Sequence, residues 1–301
     1  MTYFNSWFYR LVLVLMVSGC TSAPEIKEAP KPLPVARAPK IALVLGGGAA
    51  RGFAHIGVIK VLEAQGISPD IVVGTSAGSV VGALYAGGYT GFELQKIAFQ
   101  LDEASVSDLT LPDRGFVKGE LLQNFINKTL QNRPIEKLNK LFAAVATDLQ
   151  SGELVMFRHG NTGMAVRASS SVPGVFQPYT IGGREFVDGG LTSPVPVKVD
   201  RRLGADIVIA VDISAKPKNA KIKDSLDILL QTFAIMGNSI SNFELMDADV
   251  VIRPNIVGIG STDFEAKHLG IMEGEKAAQA ALPAIRQKLK AAGMAAGGEL
   301  R

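Results

Sequence analysis

Short runs of apolar residues alternate with helical patterns along most of this chain. The first two runs, at 41–45 and 71–73, have the length of buried strands, and helical patterns follow them over 53–65 and 79–86. Strands that alternate with helices favour parallel pairing, because each helix carries the chain back to start the next strand. The sequence therefore predicts an α/β fold with a mostly parallel central sheet flanked by helices.

The same patterns continue towards the carboxyl end. They predict helices over 91–101, 118–131, 225–245 and 271–289, and strands over 142–147, 154–157, 206–212 and 249–252. The helix at 225–245 has one apolar face, for which we favour packing on the core over docking on a membrane. The connection 102–119 is either a lid over a site or an ordinary surface connection.

The amino-terminal residues have a different pattern. Arg10 precedes the apolar run 11–17, and Ser18, Gly19 and Cys20 follow it. A basic residue, a short apolar run and small residues are typical of a secretory signal peptide, and the run is short for a membrane span. The stretch 17–20 resembles a bacterial lipobox, which implies removal of residues 1–19 and lipidation of Cys20. An uncleaved signal anchor is the alternative.

The chain then divides into three further parts. Residues 20–39 are rich in proline and predict an extended tether, and residues 291–301 predict a flexible tail. Between them, residues 40–290 predict the globular domain, with its motifs in 40–200. Thr21 follows the lipobox cysteine, and by resemblance to bacterial lipoproteins this implies an outer-membrane protein that faces the periplasm.

Composition narrows the function classes. With 301 residues, of which 47% are hydrophobic, the chain can fill a large core, and a net charge of +3 does not indicate a nucleic-acid surface. The single cysteine excludes internal disulfides and cysteine-based zinc sites, and there is no His-Glu-x-x-His motif. We therefore expect no metal and no other cofactor, and no protein partner can be inferred.

The sequence around Ser76 predicts a nucleophile elbow. Ser76 lies in the motif Gly74-Thr75-Ser76-Ala77-Gly78, between a predicted strand and a helical pattern. In such an elbow the serine sits on a tight strand-to-helix turn, and glycines stand where a Cβ would collide with neighbouring backbone. Gly74 and Gly78 are the flanking glycines here, although short motifs of this kind also arise by chance.

A glycine loop follows the first predicted strand. It comprises Gly46, Gly47, Gly48, Ala49, Ala50, Arg51 and Gly52. The Gly-Lys-Ser/Thr ending of a nucleotide P-loop is missing, so we favour an oxyanion hole built from backbone N–H groups. Arg51 either supports the loop, contacts a substrate phosphate or is simply solvated.

A third motif surrounds Asp188. This residue follows a predicted strand and precedes Gly189 and Gly190. An aspartate before glycines is most often a turn residue, and a carboxylate that leaves a strand end can also act as a base.

Taken together, the glycine loop, the Ser76 elbow and Asp188-Gly189-Gly190 resemble the patatin-like phospholipase family, nearest to its bacterial branch. The segment 168–176 is also similar to the one that precedes the family's aspartate. The resemblance implies a three-layer sandwich and a serine acyl hydrolase of the phospholipase A or lysophospholipase type. It implies Ser76 as nucleophile, Asp188 as base, and Gly47, Gly48 and Ala49 as the oxyanion hole. Ala49 stands where the family commonly has glycine.

Three alternatives remain open. A Ser-Asp-His triad would need His268, since His55 and His159 precede Asp188 in the chain. A lipoprotein that only binds acyl chains would need neither Ser76 nor Asp188. An acyltransferase would share every residue with the hydrolase. The implied substrates are membrane phospholipids or lysophospholipids.

Overall fold

The computed structural model describes residues 38–101, 108–110, 114–214, 217 and 222–293. The predicted signal peptide, Cys20, the tether up to residue 37 and the tail beyond residue 293 lie outside the described residues.

One sheet of eight strands organises the structure. Hydrogen-bonded neighbours follow the path β5-β6-β3-β2-β1-β7-β8, and β4 pairs with β3 on the edge opposite β2 and β6. The strands are β1 (Ile41–Leu45), β2 (Ile71–Thr75), β3 (Leu141–Asp148), β4 (Leu154–Phe157), β5 (Tyr179–Ile181), β6 (Arg184–Asp188), β7 (Ile207–Val211) and β8 (Val250–Ile252).

The sheet has a parallel part and an antiparallel part. Strands β3, β2, β1, β7 and β8 run parallel to one another, as predicted. Strands β4 and β6 pair antiparallel with β3, and β5 pairs antiparallel with β6. The α/β class is confirmed, and the sheet is mixed because antiparallel pairings among β3, β4, β5 and β6, between residues 141 and 188, interrupt the parallel pattern.

Eight helices surround the sheet in the described residues. They are α1 (Phe53–Ala64), α2 (Ala77–Ala86), α3 (Gly91–Gln100), α4 (Glu120–Thr129), α5 (Thr162–Ser169), α6 (Val197–Arg202), α7 (Ser225–Glu244) and α8 (Lys267–Ala291). Of these, α5 and α6 were not predicted.

The helices bury both faces of the sheet. On one face, Leu43 and Val72 pack with residues of α1, α2, α3, α4 and α8. On the other, Val44 and Val73 pack with α6 and with Leu245, which follows α7. Alternate residues of each strand point to opposite faces, so all of β1 and residues 71–73 of β2 are apolar. The arrangement is the predicted three-layer sandwich.

Helix α7 corrects one prediction. Its only buried residues are Ser241 and Glu244. Contrary to the prediction, its apolar side chains are therefore not part of the core. On the predicted apolar face, Leu226, Leu230 and Phe233 are only partly buried, and Leu229 and Met236 are 37% and 53% exposed. The apolar periodicity identified the helix correctly, but the same periodicity arises for a helix whose apolar face points outwards.

The connection 102–119 is described in part, at residues 108–110 and 114–119. Both Phe116 and Val117 donate backbone N–H groups to the carbonyl of Val175. The Asp108 carboxylate accepts the N–H groups of Gly119 and Glu120, and so caps α4. Hydrogen bonds thus anchor residues 116 and 117 to Val175, and Asp108 to the beginning of α4.

No helix within the described ranges is long and apolar enough to cross a membrane. Across the same ranges, no group of three or more histidine, cysteine, aspartate or glutamate side chains is placed to hold a metal ion.

Candidate active site

Ser76 occupies a strained turn between β2 and α2. Its backbone has φ 53° and ψ −125°, a conformation that residues with a Cβ seldom adopt, and its side chain is 8% exposed. Close contacts explain the flanking glycines. A Cβ at Gly74 would lie 2.3 Å from the Gly78 carbonyl oxygen, and one at Gly78 would lie 2.0 Å from that of Leu45. Only glycine fits at either position, so the motif is an elbow as predicted.

Strand β3 aligns Ser76 with Asp188. Its residues 144–147 pair with β4 on one edge, so β2 and β6 must share the other edge. Along that edge β2 ends opposite Val145, and β6 ends with Asp188 opposite Ala146. Because β2 and β6 run in opposite directions, their carboxyl ends meet head-on. The two candidate catalytic residues are therefore brought together at the end of each strand.

The Asp188 carboxyl group is buried and only partly satisfied. Its Oδ1 accepts the Gly190 N–H at 2.6 Å, while Oδ2 makes no well-formed hydrogen bond among the described residues. Burial raises the pKa of Asp188 to about 6, and the Ser76 hydroxyl and Gly190 N–H oppose this rise. The hydroxyl is thus close to the carboxylate without ideal geometry, as is common in resting catalytic pairs. The raised pKa makes Asp188 a stronger base than an ordinary aspartate.

Two serines from α5 and the segment after it hold this pair, and sequence reasoning did not identify their roles. Ser169 Oγ accepts the Ser76 N–H at 2.9 Å and donates to the Val145 carbonyl at 2.6 Å. The Ser171 carbonyl accepts the Asp188 N–H at 2.9 Å. The segment 168–176, which was recognised only by resemblance, therefore fixes the backbones of both candidate catalytic residues.

The glycine loop lies directly beside Ser76. A Cβ at Gly47 would be 3.2 Å from the Ser76 Cβ. The Gly46 N–H donates to Val211 O at 3.1 Å, and the Gly47 N–H donates to Pro194 O at 2.9 Å. In this conformation the Gly47 N–H already has an acceptor, so its predicted role as an oxyanion donor would require this hydrogen bond to break.

Three other N–H groups near the elbow have no acceptor among the described residues. They belong to Gly48, Ala49 and Ala77. Gly48 and Ala49 were predicted oxyanion donors, whereas Ala77 was not. Ala77 begins α2 directly after the serine, and the N–H at that position serves the oxyanion hole in other nucleophile elbows.

Ala49 adopts a left-handed backbone conformation, with φ 52°. Sequence reasoning expected strain here, because alanine tolerates positive φ poorly and glycine tolerates it well. The left-handed conformation costs an L-residue roughly 1–2 kcal/mol. The loop therefore keeps its N–H groups in place at some cost in stability.

This strain leads to a test of stability. Replacing Ala49 with glycine should raise the free energy of unfolding by about 0.5 kcal/mol, since relief of strain exceeds the added freedom of the unfolded chain. The neighbouring Ala50 is buried and is not at positive φ, so Ala50→Gly should lower that free energy by about 1 kcal/mol. Urea unfolding of both variants measures the difference, and equal losses would contradict the assignment of strain.

The side chains of Arg51, within the glycine loop, and of His55, just after it, support the loop. Arg51 Nε donates to Gly48 O at 2.9 Å, in agreement with the supporting role considered for it. His55 is fully buried in α1, and its Nε2 lies 2.8 Å from Gly46 O. Burial lowers the pKa of His55 to about 4, so the ring is neutral at pH 7 and donates this hydrogen bond.

A buried glutamate holds the segment on the other side of the loop. Glu244, at the end of α7, accepts hydrogen bonds from the Ser193 hydroxyl and, at 3.1 Å, from the Val195 N–H. Burial raises the pKa of Glu244 to about 7. Between these partners lies Pro194, whose carbonyl accepts the Gly47 N–H. Glu244 therefore fixes the acceptor that positions the glycine loop.

The sequence model described as patatin-like phospholipase matches residues 43–200, more than half of the chain. The chain belongs to the patatin-like phospholipase family. All three motifs of the site lie within the matched residues.

Relatives of this patatin-like chain include larger proteins. It is 36% identical over 179 residues to an uncharacterised NTE family protein of Mycobacterium tuberculosis, and this match covers 58% of the chain and 49% of the relative. It is 37% identical over 185 residues to lysophospholipase NTE1 of Coccidioides immitis, covering 60% of the chain and 12% of the relative. The chain thus spans half or less of the length of these relatives.

A solved structure shares the patatin-like fold at low sequence identity. VipD from Legionella pneumophila has a TM-score of 0.58 and 14% identity, with 85% of this chain and 67% of VipD covered. At this identity the likeness concerns the fold alone.

The remaining histidines of this patatin-like domain lie apart from the serine and the aspartate. The His268 ring, on α8, stacks on Phe99 of α3 at 4.4 Å between centroids, beside a surface cavity of about 230 Å³. His159 is exposed in a turn next to a second cavity of about 370 Å³. Neither histidine hydrogen-bonds to Ser76 or Asp188 in the described part of the chain, so the geometry favours a dyad over a triad.

Proposed function

We propose that this chain is a serine acyl hydrolase that cleaves fatty-acyl esters of lysophospholipids or phospholipids with Ser76 and Asp188. The observation that carries the proposal is the head-on meeting of β2 and β6, which sets a strained serine beside a buried carboxylate. The substrate class follows from the family and from the lysophospholipase to which the chain is similar.

The reaction starts with attack by the serine. Asp188 accepts the hydroxyl proton while Ser76 Oγ bonds to the carbonyl carbon of the ester. The negative charge that develops on the carbonyl oxygen is stabilised by free backbone N–H groups, for which Gly48, Ala49 and Ala77 are the candidates. The intermediate then collapses, the C–O bond to the alcohol breaks, and the alcohol takes the proton from Asp188.

The second half of the reaction releases the fatty acid. Water gives a proton to Asp188 and attacks the acyl-serine ester, and the new tetrahedral intermediate expels Ser76 Oγ. The serine regains its proton from Asp188, so the enzyme returns to its starting state. Another alcohol in place of water would make the same site an acyltransferase.

The experiment is release of fatty acid by the full chain from vesicles that contain phosphatidylcholine and lysophosphatidylcholine, together with labelling by a fluorophosphonate probe. We expect fatty acid release and one covalent adduct on Ser76. Binding of acyl chains without release or labelling would instead indicate the non-catalytic lipoprotein. Transfer of the acyl group to an added alcohol in preference to water would indicate the acyltransferase.

The raised pKa of Asp188 predicts the pH profile. The base works only when deprotonated, so kcat/KM should rise with pH about tenfold per unit below pH 6 and level off above it, with a midpoint near the pKa of about 6. An exposed aspartate would give a midpoint near 4. Glu244 also titrates close to this range, at about 7, so the profile of Glu244→Gln is the control. If the midpoint of the Glu244→Gln profile vanishes, or differs from the wild-type midpoint by a full pH unit, Asp188 is not the titrating base.

A further inference from the structure

The outer face of α7 carries an unusual set of apolar side chains. Ile228, Ile235, Met236 and Phe243 are 57%, 51%, 53% and 59% exposed. Spacings of seven and eight residues put them on one stripe of the helix. The stretch 228–243 contains no Asp, Glu, Lys or Arg. Single exposed apolar residues are common on soluble proteins, whereas a stripe of this length marks an interaction surface.

This stripe adjoins the candidate active site. A Cβ at Gly174 would lie 3.3 Å from Leu226 and 2.8 Å from Leu229, so the beginning of α7 touches the segment 168–176. That segment holds the backbones of the catalytic pair through Ser169 and Ser171. Helix α7 also packs against the turn at 189–191, directly after Asp188.

Exposed apolar side chains are also carried by the connection that hydrogen-bonds to this segment. Phe116 donates its N–H to Val175, and the Phe116 and Leu109 side chains are 45% and 81% exposed. We call the stripe on α7 together with Leu109 and Phe116 the apolar rim. Both parts adjoin the segment 168–176, which holds the backbones of the catalytic pair.

We propose that the apolar rim is a docking surface for the lipid bilayer that holds the substrate, an inference that rests on the proposed function. Apolar side chains around the entrance would enter the interface and place the site opposite the ester bonds of the lipid. A bilayer fits better than a protein groove, because the rim adjoins the segment 168–176, which holds the pair proposed to act on membrane lipids.

The charges around the rim indicate how it binds. Lys198 lies over the Phe243 ring, with Nζ 4.4 Å from the ring centroid, and its side chain is exposed. At the other end, Lys223 is accompanied by Asp224 and Asp227. The two lysines and two aspartates named here balance, and Lys216, Lys218 and Lys221 precede Lys223 in the sequence. An uncharged bilayer gives these lysines no negative surface to attract, so we expect insertion of apolar side chains to dominate there. Binding should therefore occur on uncharged phosphatidylcholine and change less than twofold between 50 and 500 mM salt.

The first test reads the position of the rim directly. Cys20 is the only cysteine, so Cys20→Ser in the full chain allows one new cysteine to carry a polarity-sensitive fluorophore. With phosphatidylcholine vesicles, a label at Met236→Cys should shift its emission to the blue and lose quenching by iodide at least about threefold. The control is Lys276→Cys, which is exposed on α8 on the opposite face of the sheet. An unchanged label at position 236, or equal changes at both positions, would overturn the proposal.

The second test separates docking from chemistry. The variant Ile228→Gln/Ile235→Gln should hydrolyse vesicle phospholipid about 10- to 100-fold more slowly and a monomeric short-chain ester within twofold of the wild-type rate. Equal loss on both substrates would contradict a docking role. A wild-type chain that hydrolyses neither substrate contradicts the proposed function alone, since the fluorophore at position 236 still reports docking. If the variant hydrolyses vesicle phospholipid as fast as the wild type, the rim does not dock on the bilayer. The proposal is then refuted, and the rim would be available to a protein partner.

Discussion

Replacing Ser76 with alanine should lower hydrolysis of lysophosphatidylcholine about 10⁴-fold or more while the domain stays folded. Ser76 is the candidate nucleophile in the elbow, since the Thr75 hydroxyl is buried and donates to the Ser193 carbonyl. Loss of the nucleophile in serine hydrolases removes the covalent route altogether. Alanine keeps the Cβ, so the strain at φ 53° is unchanged and the free energy of unfolding should move by less than about 1 kcal/mol. Fatty acid release and urea unfolding measure the two effects.

A buried serine close by serves as the matched control. Ser170 is 7% exposed, and its hydroxyl has no hydrogen-bond partner among the described residues. Removing an unsatisfied hydroxyl costs no hydrogen bond, so Ser170→Ala should keep activity within about twofold and should not destabilise the domain. Retention of more than about 1% activity by Ser76→Ala would exclude Ser76 as the nucleophile.

Replacing Asp188 with asparagine should have two effects of opposite kind. Hydrolysis should fall about 10³- to 10⁴-fold, because the amide cannot accept the Ser76 proton. Stability at pH 8 should rise, by about 2 kcal/mol, because the folded state no longer buries a negative charge. Since burial raises the pKa of Asp188 from 3.8 to about 6, its ionisation weakens the folded state as pH rises through this range. The gain should disappear at pH 4, where the folded wild type holds the proton.

Asp200 provides a control with the same burial and no link to the dyad. It is fully buried in α6, neither carboxylate oxygen has a hydrogen-bond partner in the described residues, and burial raises its pKa well above the ordinary value. Asp200→Asn should stabilise the domain at pH 8 and leave hydrolysis within about twofold. If Asp188→Asn destabilises the domain at pH 8, burial of the ionised Asp188 carboxylate does not lower the stability of the folded wild type. If it keeps full activity, Asp188 is not the base.

Much of the parallel part of the fold could be predicted from local patterns. Strands β1 and β2 are continuous apolar runs, and the elbow motif requires close contacts that only glycine permits at Gly74 and Gly78. The same local chemistry singled out Ser76, and the order of the three motifs singled out Asp188. Their meeting could not be derived from spacing, because it depends on which edge of β3 each strand takes.

What the sequence missed depends on long-range partners. Helix α5 is short, with small residues and a weak apolar stripe, and it is held mainly by contacts with α4 and β3. The sequence does not show that the Gly47 N–H has an acceptor, because that acceptor, Pro194 O, lies far along the chain. Helix α7 has the periodicity of a core helix, and only its neighbours determine that the apolar face stays exposed.

The shared edge of β3 has a consequence for how such chains can diverge. Ser76 and Asp188 are set opposite each other by two short pairings, Thr75 with Val145 and Ala146 with Asp188. The connections between β2 and β3 and between β3 and β6 take no part in those pairings. Insertions or deletions in these connections, outside the segment 168–176 that holds both backbones, change the numbering of the two residues but not their separation in space. Sequence alignments of this family should therefore anchor each motif separately and leave the interval between the serine and the aspartate unconstrained.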